Sequence, residues 1–204
     1  MDKAMFRKVC TKRLNKYNRY LFSKQIEKEL LKKLSDKKYK NILLYLSMGN
    51  EVNTKFLIRK LKQKNKRIFV PFMQDISFKM VKFSLPLKKK KFNIYEPKNK
   101  NKTKYKIDVA VVPVIGMDNN FKRVGFGKGM YDRFFDNLKY KPDIIFVQIY
   151  PCITKKVVTD KYDIKANSYI TYNLVYDRRK NDNRSVDRVG CFSNSRFFYR
   201  KKVR

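Results

Sequence analysis

The stretch Arg123 to Asp132, Arg-Val-Gly-Phe-Gly-Lys-Gly-Met-Tyr-Asp, holds three of the six glycines of a 204-residue chain within five positions. Glycine tolerates positive φ and lets backbone N–H groups close on an anion, so Gly125, Gly127 and Gly129 can form a phosphate cradle. Arg123 and Lys128 add positive charge, and a helix that should begin near Met130 would aim its positive dipole end the same way. Asp132 offers a carboxylate where a Mg²⁺ ion bridging phosphates takes a protein ligand. The spacing fits neither the Walker pattern nor the dinucleotide fingerprint, and a glycine-rich turn is by itself also consistent with a plain turn.

The loop has company. Val111-Val112-Pro113 reads as the end of an apolar strand, and Met117-Asp118 follows as an apolar–acid pair. In order and spacing, the run from Asp108 to Asp132 resembles the signature of the 5-formyltetrahydrofolate cyclo-ligase family, also called methenyltetrahydrofolate synthetases. Two distant blocks agree. Lys3-Ala4-Met5-Phe6-Arg7 with Arg13-Leu14 is similar to the family's N-terminal basic helix. Leu44 to Met48, leading to Glu51-Val52-Asn53-Thr54, is similar to its folate-holding strand and turn. The likeness continues through Lys66 to Pro71 and Glu96-Pro97, covering about residues 3 to 172.

The resemblance implies an α/β fold, a mostly parallel central sheet flanked by helices in a Rossmann-like three-layer sandwich. It implies ATP-dependent closure of 5-formyltetrahydrofolate to methenyltetrahydrofolate with release of ADP and phosphate. Carried over, Lys3 and Arg7 contact ATP phosphates, and Arg123, Gly125, Gly127, Lys128, Gly129 and Tyr131 complete the nucleotide site. Lys128, Tyr131 and Arg123 are the implied catalytic residues. Asp132 and Asp163 hold Mg²⁺, while Glu51 bonds the pterin's donor edge and Leu46, Phe126 and Met130 line the folate. Bland readings stand beside these: Lys3 and Arg7 as exposed helix charges, Leu46 as core, Asp132 as a dipole partner and Glu51 as a surface turn residue. The chain departs from the family pattern at Met130, where an aromatic ring is expected, at Phe126, and at Val157-Val158 and Tyr162-Asp163. A degenerate binder without turnover is therefore one alternative.

Composition prunes the choices. There is no histidine, which removes Ser-His-Asp and Cys-His catalysis and every His-ligated metal site. Cys10, Cys152 and Cys191 are scattered and odd in number, so neither a disulfide framework nor a zinc site is expected, and a reducing compartment, the cytoplasm, fits. The family-like block starts so early that no leader segment is expected ahead of it. No apolar stretch approaches a membrane span. Lys and Arg number 52 against 17 Asp and Glu, a formal +35. That excess invites a basic RNA-binding reading, but the aromatics fall within apolar strands and helix faces, and Lys-rich runs between core segments read as solvated loops. A small-molecule substrate, no nucleic-acid or membrane partner, and a monomer are the expectations, with the positive field favouring polyanions such as ATP and polyglutamylated folates.

Periodicity supplies the elements that must position these residues. Helices are predicted over 3–17 and 23–34, the second capped by Ser23, and a strand over 41–47. Asn53 caps a helix whose apolar face is Phe56, Leu57 and Leu61, followed by strands over 67–72 and 78–83. Residues 107–113 read as a doubly buried central strand, followed by a helix over about 128–138 and strands over 144–149 and 169–172. The Gly-rich loop then follows the carboxyl end of a central strand, where open α/β sheets bind ligands. Residues 1–176 read as one domain, and 177–204 as a basic, disordered tail.

Overall fold

A computed structural model describes residues 1–89, 95–98, 101 and 103–178. Helices α1 (Lys3–Leu14) and α2 (Arg19–Leu34) lead into strand β1 (Asn41–Leu43), helix α3 (Lys55–Gln63), and strands β2 (Arg67–Gln74) and β3 (Ser77–Lys82). Short strands β4 (Leu87–Lys89) and β5 (Tyr95–Pro97) form a hairpin ahead of β6 (Val109–Pro113). A second small hairpin, β7 (Gly116–Met117) with β8 (Arg123–Val124), precedes helix α4 (Met130–Asp136). Strands β9 (Asp143–Val147), β10 (Ser168–Ile170) and β11 (Val175–Asp177) close the chain.

Seven strands form one sheet in the order β11-β10-β9-β6-β1-β2-β3. The five inner strands pair in parallel and the two edges antiparallel, a mostly parallel α/β sheet as expected. Every residue of β6 is buried, because helices cover both faces of the sheet. Alternation along the strands sends Ile42, Val109, Val111, Ile145 and Val147 to one face, where Ile26, Leu30 and Leu34 of α2 and Leu57 and Leu61 of α3 pack. Leu43, Ala110, Val112, Ile144 and Phe146 face the other way, against Phe134 of α4. Such burial stabilises by roughly 1.5 to 3 kcal/mol per large aliphatic side chain.

Several boundaries differ from the periodicity reading. Asn18, not Ser23, caps α2, accepting from the backbone N–H groups of Tyr20 and Leu21; Ser23 is buried and accepts from the N–H of Asn53. Phe56 is exposed, and Ile58 joins Leu57 and Leu61 on the buried face of α3. Strand β1 stops at Leu43, since the chain then turns towards the candidate site. Asp177 belongs to an edge strand, so the domain runs past 176. The disordered tail was expected to begin there, and from 179 onward it lies outside the described residues.

The cysteines correct a firmer expectation. Cys10 and Cys152, 142 positions apart, form a disulfide. Both are buried with Phe6, Ile115 and Val124 in a third small core beneath α1. Spacing in the sequence carries no sign of this, because the pair meets only when α1 packs across the β7–β8 hairpin. The cysteine argument for a reducing compartment goes with it.

Candidate active site

The Gly-rich loop adopts the backbone its composition implies. Gly127 and Gly129 have φ of 97° and 60°. Those are left-handed values that a side chain resists. Gly125 is needed for a different reason: a Cβ there would run into the guanidinium of Arg123. Arg7 reaches over the loop from α1, its Nε donating to the carbonyl oxygen of Gly125 at 2.7 Å. A Cβ on Gly127 would stand 3.6 Å from the Arg7 guanidinium carbon. Lys128 and Phe126 are both exposed residues of the loop.

Arg123 is not the solvent-facing cation that the loop sequence suggests. Only 6% of it is exposed. Its Nε donates to the carbonyl oxygen of Pro113 at 3.2 Å, and its Nη1 pairs with Asp132 Oδ2 at 3.3 Å. The guanidinium also lies over the Tyr131 ring, 5.0 Å from its centroid. Buried charge is costly unless paired, and these three partners anchor Arg123 between the end of β6 and the first turn of α4. The other Asp132 oxygen accepts from the N–H of Ile164 at 3.2 Å. Residue 163 thus lies beside Asp132. Asp163 accepts from Lys3 Nζ at 2.5 Å and from the N–H of Asp160 at 2.7 Å. Desolvation pulls the Lys3 ammonium down, but its hydrogen bonds to Asp163 and Asp160 outweigh this and hold it above its ordinary range.

Glu51 approaches this group from the turn after β1. It is 8% exposed and accepts from the N–H of Met48 at 2.8 Å. Burial pushes its carboxyl up from the ordinary 4.5, opposed by the Met48 hydrogen bond and by the charges of Arg123 and Arg19. Burial likewise raises the Tyr131 hydroxyl, with the Glu51 charge reinforcing the shift and Arg123 opposing it. Glu51, Arg123 and Tyr131 therefore sense one another in a poorly solvated corner. Half-buried Leu46 packs on the α2–α3 core. Met130 packs with Tyr131 and Met73 against the α4 side, and its carbonyl accepts from Ser77 Oγ.

Among the described residues no group of three or more His, Cys, Asp or Glu gathers as a ready-made metal cage. Asp132 and Asp163 are carboxylates of the kind Mg²⁺ takes alongside phosphate oxygens and water, and in this structure Asp132 pairs with Arg123 and Asp163 with Lys3.

Three residues were missed by sequence reasoning. Fully buried Asp118 accepts from the N–H groups of Asn120, Lys122, Val158 and Thr159, tying the β7–β8 turn to the segment that carries Asp160 and Asp163. Its place in the Met117-Asp118 pair was the available signal. Arg133 braces the loop by donating to the carbonyls of Lys128 and Ile76. Arg19 holds the Glu51 turn through the carbonyl of Gly49 at 2.9 Å and Ser47 Oγ at 3.0 Å. In a chain with 52 Lys and Arg, neither arginine stands out by position.

The model of the 5-formyltetrahydrofolate cyclo-ligase family matches residues 3–166. The chain belongs to that family. It is 28% identical over 148 residues to the 5-formyltetrahydrofolate cyclo-ligase of Haemophilus influenzae, covering 68% of this chain and 79% of that protein. The mouse cyclo-ligase is 26% identical over 147 residues, 64% of this chain and 72% of its own length. Among solved structures, the Aquifex aeolicus 5,10-methenyltetrahydrofolate synthetase superposes with a TM-score of 0.74 at 24% identity, covering 88% of this chain and 94% of that one. The Mycoplasma pneumoniae synthetase gives 0.62 at 22% identity, over 83% and 98%. These folds agree with the sheet described above. Among the described residues no helix is long and apolar enough to cross a membrane.

Proposed function

We propose that the protein closes 5-formyltetrahydrofolate to 5,10-methenyltetrahydrofolate at the expense of ATP. Family membership supports the reaction, and one local observation carries it. Arg7 reaches over the Gly125–Gly129 loop, while buried Glu51 approaches from the opposite element, with Arg123 and Tyr131 between them. That arrangement supports a reading in which a phosphate subsite and a pterin subsite meet at one wall.

The formyl group is amide-like and a poor electrophile. Its oxygen takes the γ-phosphoryl group as ADP leaves, the second folate nitrogen attacks the activated carbon, and phosphate departs with the formyl oxygen. Such transfer depends on positioning and charge neutralisation rather than on a protein nucleophile, which suits a chain without histidine. Lys3, Arg7 and Lys128 neutralise phosphate oxygens, and the loop N–H groups orient them. Asp132 and Asp163 would hold Mg²⁺, which would screen the phosphate charge. Glu51, ionised, accepts from the pterin donor edge, and Leu46, Phe126 and Met130 flank the folate. Arg123 and Tyr131 form the wall between the two substrates, and desolvation there strengthens every charge contact.

The test is to incubate the purified protein with 5-formyltetrahydrofolate, ATP and Mg²⁺ and follow the near-ultraviolet absorbance of the methenyl product. ATP-dependent appearance of that band is the expected result. Folate binding without the band would make the protein a binder that has lost turnover.

A further inference from the structure

Helix α1 carries two of the cations assigned to phosphate, Lys3 and Arg7, yet only Phe6, Cys10 and Leu14 of its 12 residues are buried. Its polar ties lie at the loop end, where Lys3 pairs with Asp163 and with exposed Asp160 and Arg7 donates to the carbonyl of Gly125. Ion pairs open to solvent are screened and hold a helix weakly. The middle one of the three buried anchors, Cys10, is covalently joined to Cys152. A helix with so narrow a buried stripe depends on that bond for its place.

The other end of the bond is fixed. The carbonyl of Cys152 accepts from the N–H of Met117 at 3.0 Å, and its own N–H donates to Tyr169 Oη at 3.3 Å. Tyr169 in turn donates to Gln148 Oε1 at 2.6 Å, and both of these side chains are buried. Gly116 lets α1 lie flush on this frame, since a Cβ there would stand 2.8 Å from the Phe6 ring and 2.9 Å from Cys10 Sγ. Cys10 is 0% and Cys152 1% exposed. Thiol exchange needs a thiolate to reach a sulfur, so the bond can be attacked only when α1 lifts.

We propose that the Cys10–Cys152 pair is a redox switch on nucleotide affinity: the bond holds Lys3 and Arg7 over the Gly-rich loop, and its reduction lets α1 work loose and weakens the grip on phosphate. The proposal rests on the phosphate reading of that loop. The reductant is a dithiol. Its thiolate attacks one protein sulfur to give a mixed disulfide, and its second thiol resolves this, so the protein gains two electrons and two protons as two thiols while the reductant leaves as a disulfide. A disulfide oxidant runs the exchange backwards. Because coupling is reciprocal, nucleotide that bridges α1 to the loop must also protect the bond.

The test uses the full chain as Cys191→Ser, which leaves the pair as the only cysteines. ATP binding is titrated calorimetrically before and after reduction by dithiothreitol, an uncharged dithiol. Reduction should raise the Kd for ATP about five- to a hundredfold. Exchange of α1 amide hydrogens should quicken at least roughly tenfold while β6 amides keep their protection. ATP at about a hundred times its Kd should slow the reduction itself by roughly tenfold or more. Cys152→Ser, which cannot form the bond, should match the reduced protein and ignore dithiothreitol, and the comparison of the two redox states stands without it. Equal ATP affinity in both states, or a reduction rate indifferent to ATP, overturns the switch. Turnover with equal affinities defeats the switch alone, whereas no ATP binding in either state defeats the nucleotide reading and the switch with it.

Discussion

Arg7 and Gly125, separated by 118 positions, are joined by a 2.7 Å hydrogen bond from the guanidinium to the carbonyl oxygen. That bond ties the N-terminal helix to the Gly-rich loop proposed to receive phosphate. It also predicts that Arg7→Ala should damage ATP binding twice, by removing a cation and by releasing the loop. A charge-assisted bond of this kind contributes about 1.5 to 3 kcal/mol, so the KM for ATP should rise roughly ten- to a hundredfold. Steady-state titration of ATP at saturating folate measures it, and an unchanged KM would separate α1 from the nucleotide.

Lys128 and Gly127 should fail for different reasons. Lys128→Ala removes an exposed side chain, so turnover should drop by orders of magnitude while thermal stability stays within about 0.5 kcal/mol of wild type. Gly127→Val puts a β-branched side chain at a φ of 97°, beside Arg7. Turnover should fall as far, with a stability loss of roughly 1–2 kcal/mol. Parallel melting curves and rate measurements distinguish the two, and full activity in both mutants would remove the loop from the site.

Glu51→Gln should weaken folate binding roughly ten- to a hundredfold with ATP binding retained. The pH dependence has a definite sign. Burial raises the folded-state carboxyl above 4.5, so between that value and the raised one the native state holds more protons than the unfolded chain. Stability of the ligand-free protein should therefore decline as pH rises through that window, and Glu51→Gln should flatten the decline. Folate affinity should move oppositely, strengthening as Glu51 ionises. Calorimetry across mildly acidic pH, with and without folate, reads both slopes.

The Cys10–Cys152 bond pins the helix that carries Lys3 and Arg7 to the loop after β9. Thiol titration in denaturant should find one reactive group before reduction and three after it, since the chain has three cysteines. The Cys10→Ser, Cys152→Ser protein should lose about 2–5 kcal/mol of stability, an effect weighted by the long loop that the bond closes. Three reactive thiols in the untreated protein would show that the pair is reduced.

Much of the architecture was legible in the chain because it depends on local information. An unbroken apolar run marked β6 as a doubly covered central strand, and glycine content set the loop backbone at Gly127 and Gly129. Glu51 was marked only by the resemblance of the turn after β1 to the family's folate-holding turn, since on its own it also reads as a surface turn residue. What the tertiary structure alone decided were the partners. Arg123 reads as a loop cation and becomes a buried post, because Pro113, Tyr131 and Asp132 surround it only after β6 and α4 pack. The Cys10–Cys152 pair is decided in the same way, by the packing of α1 across the β7–β8 hairpin. Fifty-two Lys and Arg side chains are chemically interchangeable along the sequence, and only desolvation by neighbours distant in sequence separates the few that face a ligand from the many that face water.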